Sequence, residues 1–158
     1  EMTFSLTAGL NWKGFDFSVL LQGATRSSIY LQGDIAWDNS WGNYYEEHIG
    51  RWTPETAATA TYPRFTKAAT ATHPNYYKSD YWLKDSKYLR LKNIQLGYTI
   101  PRKLLKKIGI RSLRVYTNAY NLLTWDNVKK VDPESPNNSN GQFYPQQKVI
   151  NFGINLNF

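Results

Sequence analysis

The chain has 158 residues, no cysteine, one methionine, 16% aromatics and a formal charge of +7. That is one domain's length or a piece of something larger, and a hydrophobic content of 41% argues against disorder. Without cysteine, disulfide scaffolds, Cys-ligated zinc and thiol catalysis are excluded together. No apolar run is long enough to cross a bilayer as a helix, but a transmembrane barrel stays open, because its strands alternate apolar with polar residues and keep mean hydropathy low.

Glu1 opens directly into a strand pattern with no charged-then-apolar leader, as expected of a chain cut from a longer precursor or already processed. Residues 3–12 alternate strictly: Phe4, Leu6, Ala8, Leu10 and Trp12 share one parity, and Thr3, Ser5, Thr7, Gly9 and Asn11 the other. Lys13-Gly14 supplies a tight turn into a second strand over 15–23, where Phe15, Phe17, Val19 and Leu21 repeat the pattern. From 24 to 86 the alternation dissolves into Gly, Asn, Thr, Pro and aromatics, a connection far longer than usual and therefore expected to be functional or disordered.

A third strand is expected over 87–100. Its apolar parity changes between Leu91 and Ile94, which implies a bulge near Lys92 and Asn93 or an exit from the apolar layer. Pro101 to Ile110 reads as one or two helical turns with Leu104, Leu105 and Ile108 on one face and Gly109 as the stop. A fourth strand over 112–121, a polar loop over 122–146 with its Asp132-Pro133 turn, and a fifth strand over 147–158 complete the chain.

The connections thus run short, long, short, long. In an up-and-down antiparallel sheet this places both short ones at one end and both long ones at the other, the asymmetry of outer-membrane barrels with short periplasmic turns and long extracellular loops. Phe158 falls at the short-turn end. The expected fold class is all-β, a C-terminal five-strand segment of a transmembrane β-barrel with two long extracellular loops.

The stretch YLRLKNIQLGYTIPRKLLKKIGIRSLRVYTNAYNLLTW at 88–125 resembles the C-terminal part of the SusC/RagA family, TonB-dependent outer-membrane transporters of the Bacteroidota. GFDFSVLLQGATRSSIYL at 14–31, RWTPE at 51–55, YPRF at 62–65, YPQ from 144 and the terminal GINLNF extend the resemblance in family order over nearly the whole chain. It implies a barrel of about 22 strands with a plugged lumen, of which these five would be the last quarter. It also implies import of oligosaccharides or peptides with a SusD-like surface lipoprotein. The plug and the segment that meets the TonB complex would lie upstream of these residues, and no cofactor is implied.

The individual residues carry both functional and structural readings. Phe152, Ile154, Leu156 and Phe158 have the form of a strand signal for the barrel assembly machinery, or of an ordinary sandwich strand. Trp37, Trp41, Tyr44, Tyr45 and Trp52, beside Asp34, Asp38, Glu46 and Glu47, could stack on sugar rings; they could equally pack the loop against itself or form an interfacial girdle. Arg114 and Tyr116 would face the lumen if Leu113 and Val115 face lipid.

Nine Lys and Arg without an acid lie between Lys87 and Arg114, which accounts for the whole positive excess. In the connector, Arg102, Lys103, Lys106 and Lys107 read as a solvated turn near outer-membrane lipid headgroups rather than a nucleic-acid platform. His48 and His73 have neither metal-pair spacing nor a nucleophile partner, so no enzyme is expected. The rival reading is a soluble carbohydrate-binding β-sandwich module. In that case Leu6, Phe17, Ile94, Leu96, Phe152, Ile154 and Leu156 would be buried, whereas in a barrel wall they would form one surface facing lipid.

Overall fold

The computed structural model describes residues 1–33, 36–38, 44–67, 73–128, 131–135 and 143–158. The chain divides into two compact units, one of Glu1–Ser27, Ser86–Asn127 and Gln146–Phe158, the other of Ser28–Asp85 and Val128–Pro145. The first is a sheet and the second contains both long connections.

The sheet has five antiparallel strands in the order β1 (Met2–Trp12), β2 (Phe15–Thr25), β5 (Tyr88–Thr99), β6 (Ser112–Asp126) and β7 (Val149–Asn157). It is open: β1 and β7 each pair on one side only among the described residues. The β1–β2 turn uses positive φ at both central positions, 47° at Lys13 and 91° at Gly14, the handedness that matches the twist of the flanking strands. A side chain at Gly14 would also press on the Thr99 carbonyl, so glycine is required there twice over.

The parity change in β5 is a bulge. Leu20 opposes Asn93 and Leu21 opposes Leu91, leaving Lys92 as the extra residue. The extra residue returns Leu91 and Leu89 to the face that Ile94, Leu96 and Tyr98 occupy. The β6 ladder adjusts at Asn121, whose φ is 51°, and this lets β6 run on to Asp126 with Leu123 opposite Leu91 and Trp125 opposite Leu89. The apolar layer is therefore continuous along both strands.

Between β5 and β6 the chain turns through α1 (Arg102–Leu105) and a 3₁₀ turn over Lys106–Ile108, and Gly109 closes it at φ 72°. The three apolar residues do not share one environment: Leu105 is buried, while Leu104 is 69% and Ile108 64% exposed.

In the second unit, β3 (Ser28–Tyr30) pairs with β4 (Leu83–Asp85) as a short ribbon. Ile29, Leu31, Ala36, Tyr62, Trp82 and Val128 form its core, with Tyr30, Trp37, Phe65 and Val131 packed around them. Val128 and Val131 come from the second long connection, so the two connections share this core.

Candidate functional site

The register places each row of the sheet on one of two faces. One face carries Trp12, Phe15, Tyr98, Val115 and Ile154 in its first row, then Leu10, Phe17, Leu96, Thr117 and Phe152, then Ala8, Val19, Ile94, Ala119 and Ile150. Beyond the bulge follow Leu6, Leu21, Leu91 and Leu123, and then Phe4, Gly23, Leu89 and Trp125. Gly23, Leu91 and Ala119 are buried, but most of the large side chains in these rows are not core residues. Leu6 is 61% exposed, Phe152 84% and Ile154 67%, and Phe17, Leu96 and Leu156 are exposed as well. So much apolar surface is far above what a water-soluble monomer tolerates, and it is what a lipid-facing wall needs. In a β-sandwich the same side chains would be buried.

The opposite face is polar: Asn11, Asp16, Ser18, Gln22, Asn93, Gln95, Arg114, Tyr116, Asn118, Asn151 and Asn155 lie on it by register. Two glycines shape it. Gly97 leaves room for the Arg114 guanidinium to reach across β5 to Asp16, where Nε donates to Oδ2 at 2.9 Å and the second nitrogen pairs with Oδ1. Gly153 leaves room for the Tyr116 ring, which lies against the position a Cβ would occupy. The guanidinium carbon sits 4.8 Å from the Tyr116 ring centroid, so Asp16, Arg114 and Tyr116 form one assembly spanning the three strands β2, β5 and β6. The sequence singled out Arg114 and Tyr116 but not Asp16, 98 residues earlier; its charge at a polar-face position was the available signal. Asn93 Oδ1 and Asn118 Oδ1 are buried on this face with no hydrogen-bond partner among the described residues.

Of the loop aromatics, Trp37 packs on the loop core and against Tyr76 at 5.2 Å between ring centroids. Trp41 lies outside the described residues, as do Asp34 and residues 136–140. Tyr44 stacks on Phe65 at 5.3 Å yet keeps 58% of its surface exposed, and Tyr45 and Trp52 are also exposed. Tyr44, Tyr45, Tyr62 and Phe65 surround the buried His48 ring. Its Nδ1 accepts the Tyr45 amide at 3.1 Å, which turns the histidine into part of the loop's packing.

Asp38 is the polar centre of this unit, and the sequence reading passed over that role. It is 3% exposed, accepts the Thr66 amide at 3.1 Å and the Tyr76 hydroxyl, and Tyr62 donates to the neighbouring Ala36 carbonyl at 2.6 Å. Burial first, with the Asp38 hydrogen bond and charge behind it, pushes the Tyr76 phenol above the usual range; burial followed by the Asp38 charge does the same to Tyr62. Glu46 and Glu47 stand in a 3₁₀ turn over Glu46–Gly50. Among the described residues no group of three His, Cys, Asp or Glu is placed to hold a metal ion.

No family model matches the chain. Individual proteins do. The chain is 29% identical, over all of its length and 17% of the relative's, to TonB-dependent receptor P26 of Formosa agariphila. It is 24% identical, over all of its length and 15% of the relative's, to TonB-dependent receptor SusC of Bacteroides thetaiotaomicron. Among solved structures, the RagAB peptide importer in its open-open state matches 99% of this chain and 17% of its own with a TM-score of 0.75 and 25% identity; a further RagAB peptide transporter structure gives 0.72 and 27% over 98%. The chain thus spans about a sixth of the length of these relatives, which are receptors and transporters rather than enzymes. Likeness to TonB-dependent receptors places it in the outer membrane, and the resemblance to the SusC/RagA family of TonB-dependent transporters holds along the whole chain in both sequence and fold.

Proposed function

We propose that this chain is a wall segment, the C-terminal one, of a TonB-dependent importer of oligosaccharides or peptides that works with a SusD-like surface lipoprotein. One observation supports this most strongly: a five-strand sheet with a continuous exposed apolar face on one side and a polar, charge-bearing face on the other. Water on both sides would penalise the first face, and lipid on both would penalise the second. The apolar face meets outer-membrane lipid, and the polar face lines the lumen, with Arg114 paired to Asp16 and lying over the Tyr116 ring to meet passing cargo or the plug.

In this reading the two long connections are extracellular and face the lipoprotein. Tyr44, Tyr45 and Trp52, which are solvent-exposed, are the loop positions suited to stack on ligand, whereas Trp37 belongs to the loop core. Phe152, Ile154, Leu156 and Phe158 on and after β7 serve recognition by the barrel assembly machinery. Coupling to the TonB complex belongs to parts of the transporter beyond the stretch spanned by this chain.

Cell fractionation of the source organism, with an antibody to the 122–146 loop, tests the reading. A band several times larger than 18.3 kDa in the outer membrane, labelled on intact cells, supports it. A soluble band near 18.3 kDa refutes it and favours a secreted glycan-binding module. Uptake of labelled peptides and of oligosaccharides by cells with and without the gene then separates the two cargo classes.

A further inference from the structure

We propose that the short-turn end of the sheet is a binding site for an anionic phospholipid of the periplasmic leaflet, with one acyl chain in a groove of the apolar face and the phosphate on the basic connector between β5 and β6. This rests on the outer-membrane reading above and adds to it a specific lipid and a specific place.

The groove is open, about 670 Å³ in volume, and almost wholly apolar. Its floor is the row Gly97, Tyr116 and Gly153, where two residues have no side chain and the third turns its ring to the other face. Between Leu96 and Phe152 the wall drops at Thr117, a short residue in a row of long ones. The Thr117 hydroxyl donates to the Asn151 carbonyl at 3.0 Å, so this polar group is already satisfied and the side chain can present its methyl to the groove. A lipid-facing wall needs no concavity to be solvated by lipid; one that has it discriminates between a chain that fits and bulk hydrocarbon.

The groove's upper row, at Tyr98 and Val115, leads directly into the connector. Tyr98 and Arg102 are four residues apart, at most about 14 Å of chain. One leaflet of hydrocarbon is about 15 Å deep, so an acyl chain in the groove brings its phosphate to the connector. There Arg102, Lys103 and Lys106 are exposed, no acid lies between Lys87 and Arg114, and Leu104 and Ile108 are exposed beside the cations. A turn shaped for water alone would not present Leu and Ile outward. Apolar side chains flanked by cations are the chemistry of the headgroup boundary, where the former enter the acyl layer and the latter meet phosphate. Net charge selects an anionic headgroup over a zwitterionic one.

The test uses the full-length transporter in mild detergent, with native mass spectrometry against phosphatidylglycerol and phosphatidylcholine of identical acyl chains. The expected result is retention of phosphatidylglycerol about tenfold better than phosphatidylcholine. The triple variant R102Q/K103Q/K106Q should remove the preference, while Thr117→Trp, which fills the groove, should weaken both lipids. Heat-modifiable migration on gels checks that each variant is a folded barrel. Equal retention of both lipids by the unaltered transporter, or a preference untouched by both variants, overturns the inference and leaves the outer-membrane reading standing. Recovery of the full-length protein from the soluble fraction overturns both.

Discussion

An arginine placed on the apolar face should be costly in proportion to its depth, and the rows of the sheet give that depth. Successive rows are two residues apart, about 6.6 Å along a strand and about 5 Å along the membrane normal at a typical barrel tilt. From Tyr98 through Leu96, Ile94 and Leu91 to Leu89 there are four such steps, about 20 Å, close to the ~25 Å apolar band of outer-membrane barrels. Ile94 is at the middle. Ile94→Arg should therefore destabilise the barrel by about 2–4 kcal/mol, Tyr98→Arg near the boundary by about 0–1, and Leu96→Arg by an amount between them. Val19→Arg, in the Ile94 row on β2, should match Ile94→Arg. Ser18→Arg, one residue away on the polar face, should stay within about 0.5 kcal/mol. The assay is guanidinium unfolding of the full-length barrel in lipid vesicles, followed by tryptophan fluorescence and heat-modifiable migration. Equal losses at Val19 and Ser18, or a profile flat from Tyr98 to Ile94, would refute the assignment of faces.

Three further outcomes follow from other residues. Gly153→Ala should cost about 1–3 kcal/mol because its methyl would overlap the Tyr116 ring, and Tyr116→Ala in the same chain should recover most of the loss; a double-mutant cycle in the same unfolding assay measures the coupling. Asp38→Ala should leave the buried Tyr76 hydroxyl without its acceptor, a loss of about 1–3 kcal/mol confined to the loop unit and read as faster proteolysis there with the barrel intact. The raised phenols of Tyr62, Tyr76 and Tyr81 favour the neutral folded form: their contribution is complete below about pH 10, where an unfolded tyrosine begins to ionise, and is lost as pH rises above it. Limited proteolysis of the loops should therefore accelerate above about pH 10 in the native protein and less steeply in Tyr62→Phe.

What the sequence made legible was whatever a period of two can express. Ile150, Phe152, Ile154 and Leu156 alternate without interruption, and so do Phe4 to Trp12, so their strands and faces can be read residue by residue. Arg114 and Tyr116 followed as polar-face positions because Leu113 and Val115 flank them. The connector was legible as a turn but not as packed: one buried Leu105 between exposed Leu104 and Ile108 follows from the change from α to 3₁₀ geometry at Lys106, which a helical wheel over 101–110 does not contain. The loop unit was least legible. Its ribbon joins residues 28–30 to 83–85, and its core takes Val128 from the other connection, contacts that no local pattern encodes.

The bulge at Lys92 shows why an interrupted pattern can mark continuity in space. Read as a strict alternation, Leu89 and Leu91 sit on the wrong parity, and the strand seems to leave the apolar layer where the charges Arg90 and Lys92 begin. The extra residue reverses this. By moving Leu89 and Leu91 back to the apolar face it also moves Arg90 to the polar one, where it is 2% exposed and its Nε donates to Thr124 Oγ1 at 3.0 Å. Were Lys92 paired in register instead of bulged out, Arg90 would face lipid at the cost of a charge in the apolar band, and two leucines would face the polar side. The positive φ at Asn121 on the neighbouring strand is the matching adjustment, since β6 has to keep Leu123 and Trp125 level with Leu91 and Leu89. Two local irregularities, at residues 92 and 121, therefore keep one face apolar over five rows and allow the far end of the sheet to carry a buried arginine on the other. Deleting Lys92 should therefore remove the bulge and leave Leu91, Arg90 and Leu89 on the faces they hold now, so the variant should still assemble with near-normal yield; loss of assembly would show that β5 needs the bulge itself and not only the parity it restores.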